Sequence, residues 1–201
     1  MRIQKLIIAI STCFIVSQSM AQSEQPEKYR KFAVYGGVGP SFFFNNLQIF
    51  SENVKPLQYA FSARVMWEPQ HSFLSLGIET GYYRLYSVSD VVTNPSTGQT
   101  SNAHVTNSSV PILFVVSMKF SKKVYANWGM GQSITFNQVE ASGINTNHNA
   151  TTWSYSDFSA TVGYRFIQKE RISYAAEFKG FYSSGYANTT IALLFIVGFR
   201  L

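Results

Sequence analysis

A chain of 201 residues with 13% charged and 16% aromatic side chains makes a poor water-wetted exterior, because ordinary domains carry about 25% charged residues. The formal charge of +6 drops to +4 once Arg2 and Lys5 are set aside as part of an N-terminal leader. The other basic residues are scattered, with no run longer than Lys122-Lys123, which argues against a nucleic-acid-binding face.

Residues 1–21 read as a secretory signal peptide. Arg2 and Lys5 precede the apolar run Leu6–Val16, and Ser19-Met20-Ala21 is a small-x-small cleavage site. The lone Cys13 lies inside this leader, so the mature chain is expected to have no disulfide, thiol nucleophile or cysteine-ligated metal. Ile10-Ser11-Thr12-Cys13 is a weak match to a lipidation site, since Thr12 is a poor residue before a lipidated cysteine and cleavage there would cut the apolar run short. Residues 22–30 are polar and read as a short periplasmic tail. No later window holds 18 uninterrupted apolar residues, so a spanning helix is excluded, and greasy strands must form either a soluble β protein or a closed membrane barrel.

Eight strand-like segments follow. Phe32–Phe44 alternates Phe32, Val34, Val38, Phe42 and Phe44 against Ala33, Tyr35, Gly37, Gly39, Ser41 and Phe43, and Pro40, which lacks a ladder donor, predicts a bulge or irregular upper end. After the polar stretch Asn45–Pro56, Leu57–Glu68 sets Leu57, Tyr59, Phe61, Ala63, Val65 and Trp67 against Gln58, Ala60, Ser62, Arg64, Met66 and Glu68. Such period-two alternation is a strand with one apolar and one polar face. Phe73–Tyr86 is the third segment, and the Ser/Thr/Asn-rich Ser87–Asn107 reads as the longest loop. Ser109–Phe120 and Lys123–Thr135 are separated by Ser121-Lys122 alone. Phe136–Thr152 reads as another long loop, followed by Trp153–Phe166, a turn at Ile167–Glu170, a strand from Ile172 to Tyr182, and Thr189–Leu201. Short links after strands two, four and six and long ones after strands one, three and five match the short periplasmic turns and longer outer loops of outer-membrane barrels.

Side-chain size and charge decide which face is inside. The polar face carries Gly37, Gly39, Gly77, Gly81, Gly129, Gly131 and Gly163, which suit a narrow eight-stranded interior. The apolar face carries Trp67, Trp128 and many Phe, too bulky to share that interior. Aromatic residues gather near the short turns (Trp67, Phe73, Phe120, Phe166) and near the loops (Phe44, Tyr82, Trp153), as in two interfacial girdles. The inward charges are then Arg64, Lys119, Arg165, Lys179 and Arg200 against Glu68, Glu79, Asp157 and Glu177. Buried charges persist when paired, so these nine residues are expected to form a salt-bridged plug across strands. Arg84 falls on the apolar parity and must lie at a rim, or the register shifts there.

On the glycine-rich opening strand Ala33–Phe43, the Val110-Pro111-Ile112-Leu113 segment and the terminal strand Ile191–Leu201, the chain resembles the small outer-membrane β-barrel proteins of the OmpA/OmpX-like and PorT-like kind. The resemblance spans Lys31–Leu201. It implies an all-β, eight-stranded antiparallel up-and-down transmembrane barrel in the outer membrane of a Gram-negative bacterium, with both termini in the periplasm. It also implies insertion by the barrel-assembly machinery, which reads the last strand. Here the terminal aromatic, Phe199, stands two residues before the end, a partial match.

Catalytic patterns are sparse. His71, His104 and His148 show no metal-ligand spacing. His104-Val105-Thr106-Asn107 is a distant match to the His-x-Ser arrangement of outer-membrane lipid hydrolases, with Glu79 or Asp90 as an imaginable orienting acid. Gly129-Met130-Gly131-Gln132-Ser133 lacks the Gly-Lys-Ser/Thr ending of a phosphate loop and lies in mid-strand. The expectation is a non-enzymatic surface or structural protein without cofactor, partnered by outer-membrane lipid and an unidentified outside or periplasmic molecule. The alternatives are a PorT-like secretion accessory, a lipid-modifying enzyme and a narrow pore.

Overall fold

The structure, a computed structural model, describes residues 32–44, 54–69, 72–93, 98, 100–141, 148–169, 171–184 and 188–201. The leader and tail, residues 1–21 and 22–30, lie outside the described residues, as does most of Asn45–Pro56.

Ten strands are formed: β1 (Phe32–Phe44), β2 (Val54–Lys55), β3 (Leu57–Trp67), β4 (Leu74–Thr93), β5 (Thr100–Lys119), β6 (Val124–Ala141), β7 (His148–Trp153), β8 (Asp157–Gln168), β9 (Ile172–Ser183) and β10 (Asn188–Arg200). Each pairs antiparallel with its neighbour, in the order β1-β3-β4-β5-β6-β8-β9-β10. β10 then returns to β1, with Ala33 opposite Arg200 and Phe44 opposite Thr189. The eight staves therefore close into a barrel and leave no open edge around the wall. β2 and β7 are outlying pieces of the β3 and β8 staves, paired to β4 and β6 respectively.

Exposure fixes which side faces out. Phe61, Phe114 and Phe178 are 47%, 54% and 56% exposed, whereas Arg64, Glu79 and Glu177 are 4%, 1% and 0%. A water-soluble barrel requires the reverse, because burying an ion is costly and exposing a broad apolar surface to water is also unfavourable. Trp67, Phe73, Phe120 and Phe166 stand on the outer wall at the short-turn end, and Phe44, Tyr82 and Trp153 at the other.

Glycine makes room inside at positions where a larger neighbour crosses. A Cβ on Gly163 would run into the ring of Tyr125, and one on Gly198 into that of Tyr35. Both tyrosines thereby reach from the wall into the lumen.

Three expectations need correction. Ser87–Asn107 is mostly strand: β4 runs on to Thr93 and β5 starts at Thr100, with Gly98 at φ 69° in the link. Phe136–Thr152 likewise becomes the end of β6 plus β7. Polar residues extend these strands because beyond the membrane both faces meet water, so apolar alternation is no longer required there. Pro40 produces no bulge: the β1–β3 register runs unbroken through Pro40 opposite Tyr59, and the offset to β10 is the same on either side. The irregularity predicted at Arg84 is present as a register shift between Arg84 and Tyr86 in the β4–β5 ladder. Arg84 donates from Nη2 to Thr106 Oγ1 at 3.3 Å.

Candidate functional site: the charged lumen and the projecting sheet

The lumen holds two charged layers. The first is built around Glu68, just past the end of β3. One carboxylate faces three cations: Lys119 Nζ at 3.2 Å, Arg165 Nη2 at 3.7 Å and Arg200 Nε at 3.7 Å. It also accepts a hydrogen bond from the Tyr35 hydroxyl. The cations come from β5, β8 and β10, so this layer ties β3 to three other staves across the short-turn end.

The second layer lies deeper. Arg64 Nη1 reaches Glu79 Oε2 at 3.2 Å on the adjacent strand, and Arg64 Nη2 reaches Glu177 Oε1 across the lumen at 2.5 Å. Lys179 Nζ pairs with Glu79, and the Tyr125 hydroxyl donates to Glu177 at 2.8 Å. The two cations and two carboxylates balance, which is the condition under which charges tolerate burial. Rings add to both layers: Arg165 lies 4.7 Å over Tyr125, Arg64 5.3 Å over Tyr35, and Lys179 5.6 Å over Tyr83. Above them Tyr83 stacks on Phe181 with centroids 4.9 Å apart.

Eight of the nine charged residues named from sequence thus meet in these layers. Asp157 does not. It is buried, but among the described residues it forms no ion pair. Its Oδ1 accepts from the Ser184 backbone N–H at 3.0 Å, and its Oδ2 has no hydrogen-bond partner. The reason is height: Lys179 stands opposite Thr161, four residues farther down β8, and four strand residues span about 13 Å. Tyr35, Tyr83 and Tyr125 were missed as members of this network. The signal for Tyr35 and Tyr125 is a tyrosine at inward parity opposite a glycine, Gly198 and Gly163, on the neighbouring strand, whereas Tyr83 faces Ala60 and Ser109 and carries no such signal.

At the opposite end, β4 and β5 are each 20 residues long, whereas about 9–11 tilted residues cross a bilayer. Roughly half of each strand therefore projects beyond the apolar belt, by the same crossing length. β6 widens this projection and β2 and β7 flank it. His104 lies here, on β5 and not in a loop. Its ring nitrogens meet Ser89 Oγ at 2.9 Å and Thr106 Oγ1 at 3.3 Å. Glu79 is deep in the lumen, and Asp90 Oδ1 accepts from the Val91 backbone N–H, so neither acid orients the imidazole. His71 and the side chain of His148 lie outside the described residues. The Gly129–Ser133 segment is strand β6 with lumen-facing glycines.

No family model matches the chain, and no curated protein matches it. Solved structures similar to it include the attachment invasion locus protein Ail of Yersinia pestis, with 9% identity, a TM-score of 0.47, and 85% of this chain and 97% of that one covered. Neisserial surface protein A is similar at 13% identity and TM-score 0.48, over 85% and 97%. The N-terminal β-barrel domain of Pseudomonas aeruginosa OprF is similar at 10% and 0.43, over 85% and 98%. Closed pairing, an apolar outer belt and an ionic interior together make this chain a closed eight-stranded antiparallel transmembrane β-barrel.

Proposed function

We propose that this protein is an integral outer-membrane barrel with a closed lumen, and that its work is done by the projecting sheet as a surface for outside partners. The closed lumen is supported by the Arg64–Glu79–Glu177–Lys179 layer, whose members come from β3, β4 and β9 and bridge the interior at buried contacts. The surface role is carried by one observation, the length of β4 and β5 beyond what a bilayer needs. Investing so many residues in ordered strand outside the membrane builds a rigid platform, and sheets of this kind recognise partners through backbone and side chains together.

Impermeant maleimide labelling of intact cells tests the arrangement. Val91→Cys on the projecting part of β4 is expected to label, and Lys122→Cys at the short turn to label only after the outer membrane is opened. The reverse pattern refutes the orientation. In planar bilayers the wild-type protein is expected to give no stable current, and a steady conductance contradicts the closed lumen.

A second reading, a lipid-modifying enzyme, has one observation in its favour: Ser89 Oγ and the His104 ring lie at 2.9 Å on opposed strands. Without an orienting acid this pair is a cross-strand tie. Lipid deacylation by the purified protein that is lost in His104→Ala would establish the enzymatic reading instead.

A further inference from the structure

We infer that the short-turn end of the barrel binds the phosphate group of an anionic phospholipid, seated between the Ser121–Lys123 turn and the end of β8. This rests on the membrane reading above and adds a ligand to it. The first observation is charge. Glu68 is shared among Lys119, Arg165 and Arg200, so one anion answers three cations, and Lys122 and Lys123 beside them are exposed with no ion pair among the described residues. An additional anion is favoured there.

The second observation is shape. Lys122, Lys123, Arg165, Phe166 and Gln168 line an open pocket of about 320 Å³. Strand alternation along β8 turns Arg165 inward and Phe166 outward at this point. The pocket therefore sets two exposed ammonium groups, suited to phosphate oxygens, and an aromatic ring beside Arg165, whose guanidinium faces Glu68 and the Tyr125 ring in the lumen. The Phe166 ring belongs to the apolar belt, since it lies 5.9 Å from Phe195 on the outer wall. A free phosphate would use only the polar half of such a pocket. A phospholipid uses both, with its phosphate among the cations and its acyl chains running along the belt.

The test is native mass spectrometry of the full chain in uncharged detergent, titrated separately with phosphatidylglycerol, phosphatidylcholine and inorganic phosphate. One phosphatidylglycerol per chain is expected to be retained in preference to the other two. Lys122→Gln with Lys123→Gln is expected to weaken that binding about thirtyfold, roughly a factor of five per lysine. Lys169→Gln with Arg171→Gln, exposed at the same rim but outside the pocket lining, is expected to leave it nearly unchanged. Equal retention of phosphatidylcholine, equal binding by the Lys122/Lys123 variant, or an equal loss in the Lys169/Arg171 variant overturns the site. Retention of inorganic phosphate as tight as that of the lipid overturns the lipid assignment. Insertion into phosphatidylcholine vesicles, followed in parallel, separates the two levels. A chain that does not insert overturns the membrane reading and this site with it, whereas a chain that inserts without preferring phosphatidylglycerol overturns the site alone.

Discussion

Glu79→Gln removes the carboxylate that Lys179 pairs with and one of the two that hold Arg64. The deep layer then carries two cations and one anion, and Lys179 is fully buried. Removing one partner of a buried ion pair costs about 3–5 kcal/mol because the other charge is left uncompensated. Against the total stability of a typical domain, about 5–15 kcal/mol, this is a large loss. Lys179→Met alone leaves Glu79 paired to Arg64 and is expected to cost less. The double variant restores charge balance, with Arg64 still bound to Glu177 at 2.5 Å, and is expected to recover most of the loss, a coupling that a double-mutant cycle reads directly. The assay is reversible urea unfolding from phospholipid vesicles, followed by tryptophan fluorescence. A Glu79→Gln loss below about 0.5 kcal/mol, the range of ordinary surface substitutions, or additive costs in the double variant, would refute the view of this layer as one balanced unit.

Three further outcomes are expected. Glu68→Gln is destabilising by less than Glu79→Gln in the same assay, because Lys119 and Arg200 are 23% and 21% exposed and water answers part of their charge; the opposite order contradicts the two-layer description. Gly163→Ala drives a methyl into the Tyr125 ring and is expected to cost about 1–3 kcal/mol as overpacking, and to add no such cost in a Tyr125→Ser background, measured against that variant alone because it loses the Glu177 hydrogen bond. Phe114→Arg on the outer wall is expected to cost about 2–4 kcal/mol if it sits near the bilayer midplane, as measured by vesicle refolding; a neutral result there would mean that water, not lipid, wets that face.

Much of this was legible in sequence because a barrel wall sorts its residues by a single rule of alternation. Leu57–Trp67 displays that rule in full, with Leu57, Tyr59, Phe61, Val65 and Trp67 exposed while Arg64 is buried. Where hydrocarbon no longer touches the chain, the rule lapses. Ser87–Thr93 and Thr100–Asn107 are strand but polar enough to pass for loop, although Val88, Val91, Val92 and Val105 are β-branched residues suited to strands. The set of lumen charges could be read from parity, but their partners could not. Strand tilt and stagger decide which heights meet across the interior, so Arg64 finds Glu177, 113 positions away, and Asp157 finds no cation among the described residues.

The central claim is that hydrocarbon touches the aromatic side of the wall, and Trp128 can report on it. It is exposed on the outer face of β6, opposite Val116 and Ala160. In the variant Trp67→Phe with Trp153→Phe, which leaves Trp128 as the sole tryptophan, fluorescence in vesicles of bromine-labelled lipid is expected to be strongly quenched and insensitive to aqueous iodide. Strong quenching by iodide with none by the brominated acyl chains would contradict it.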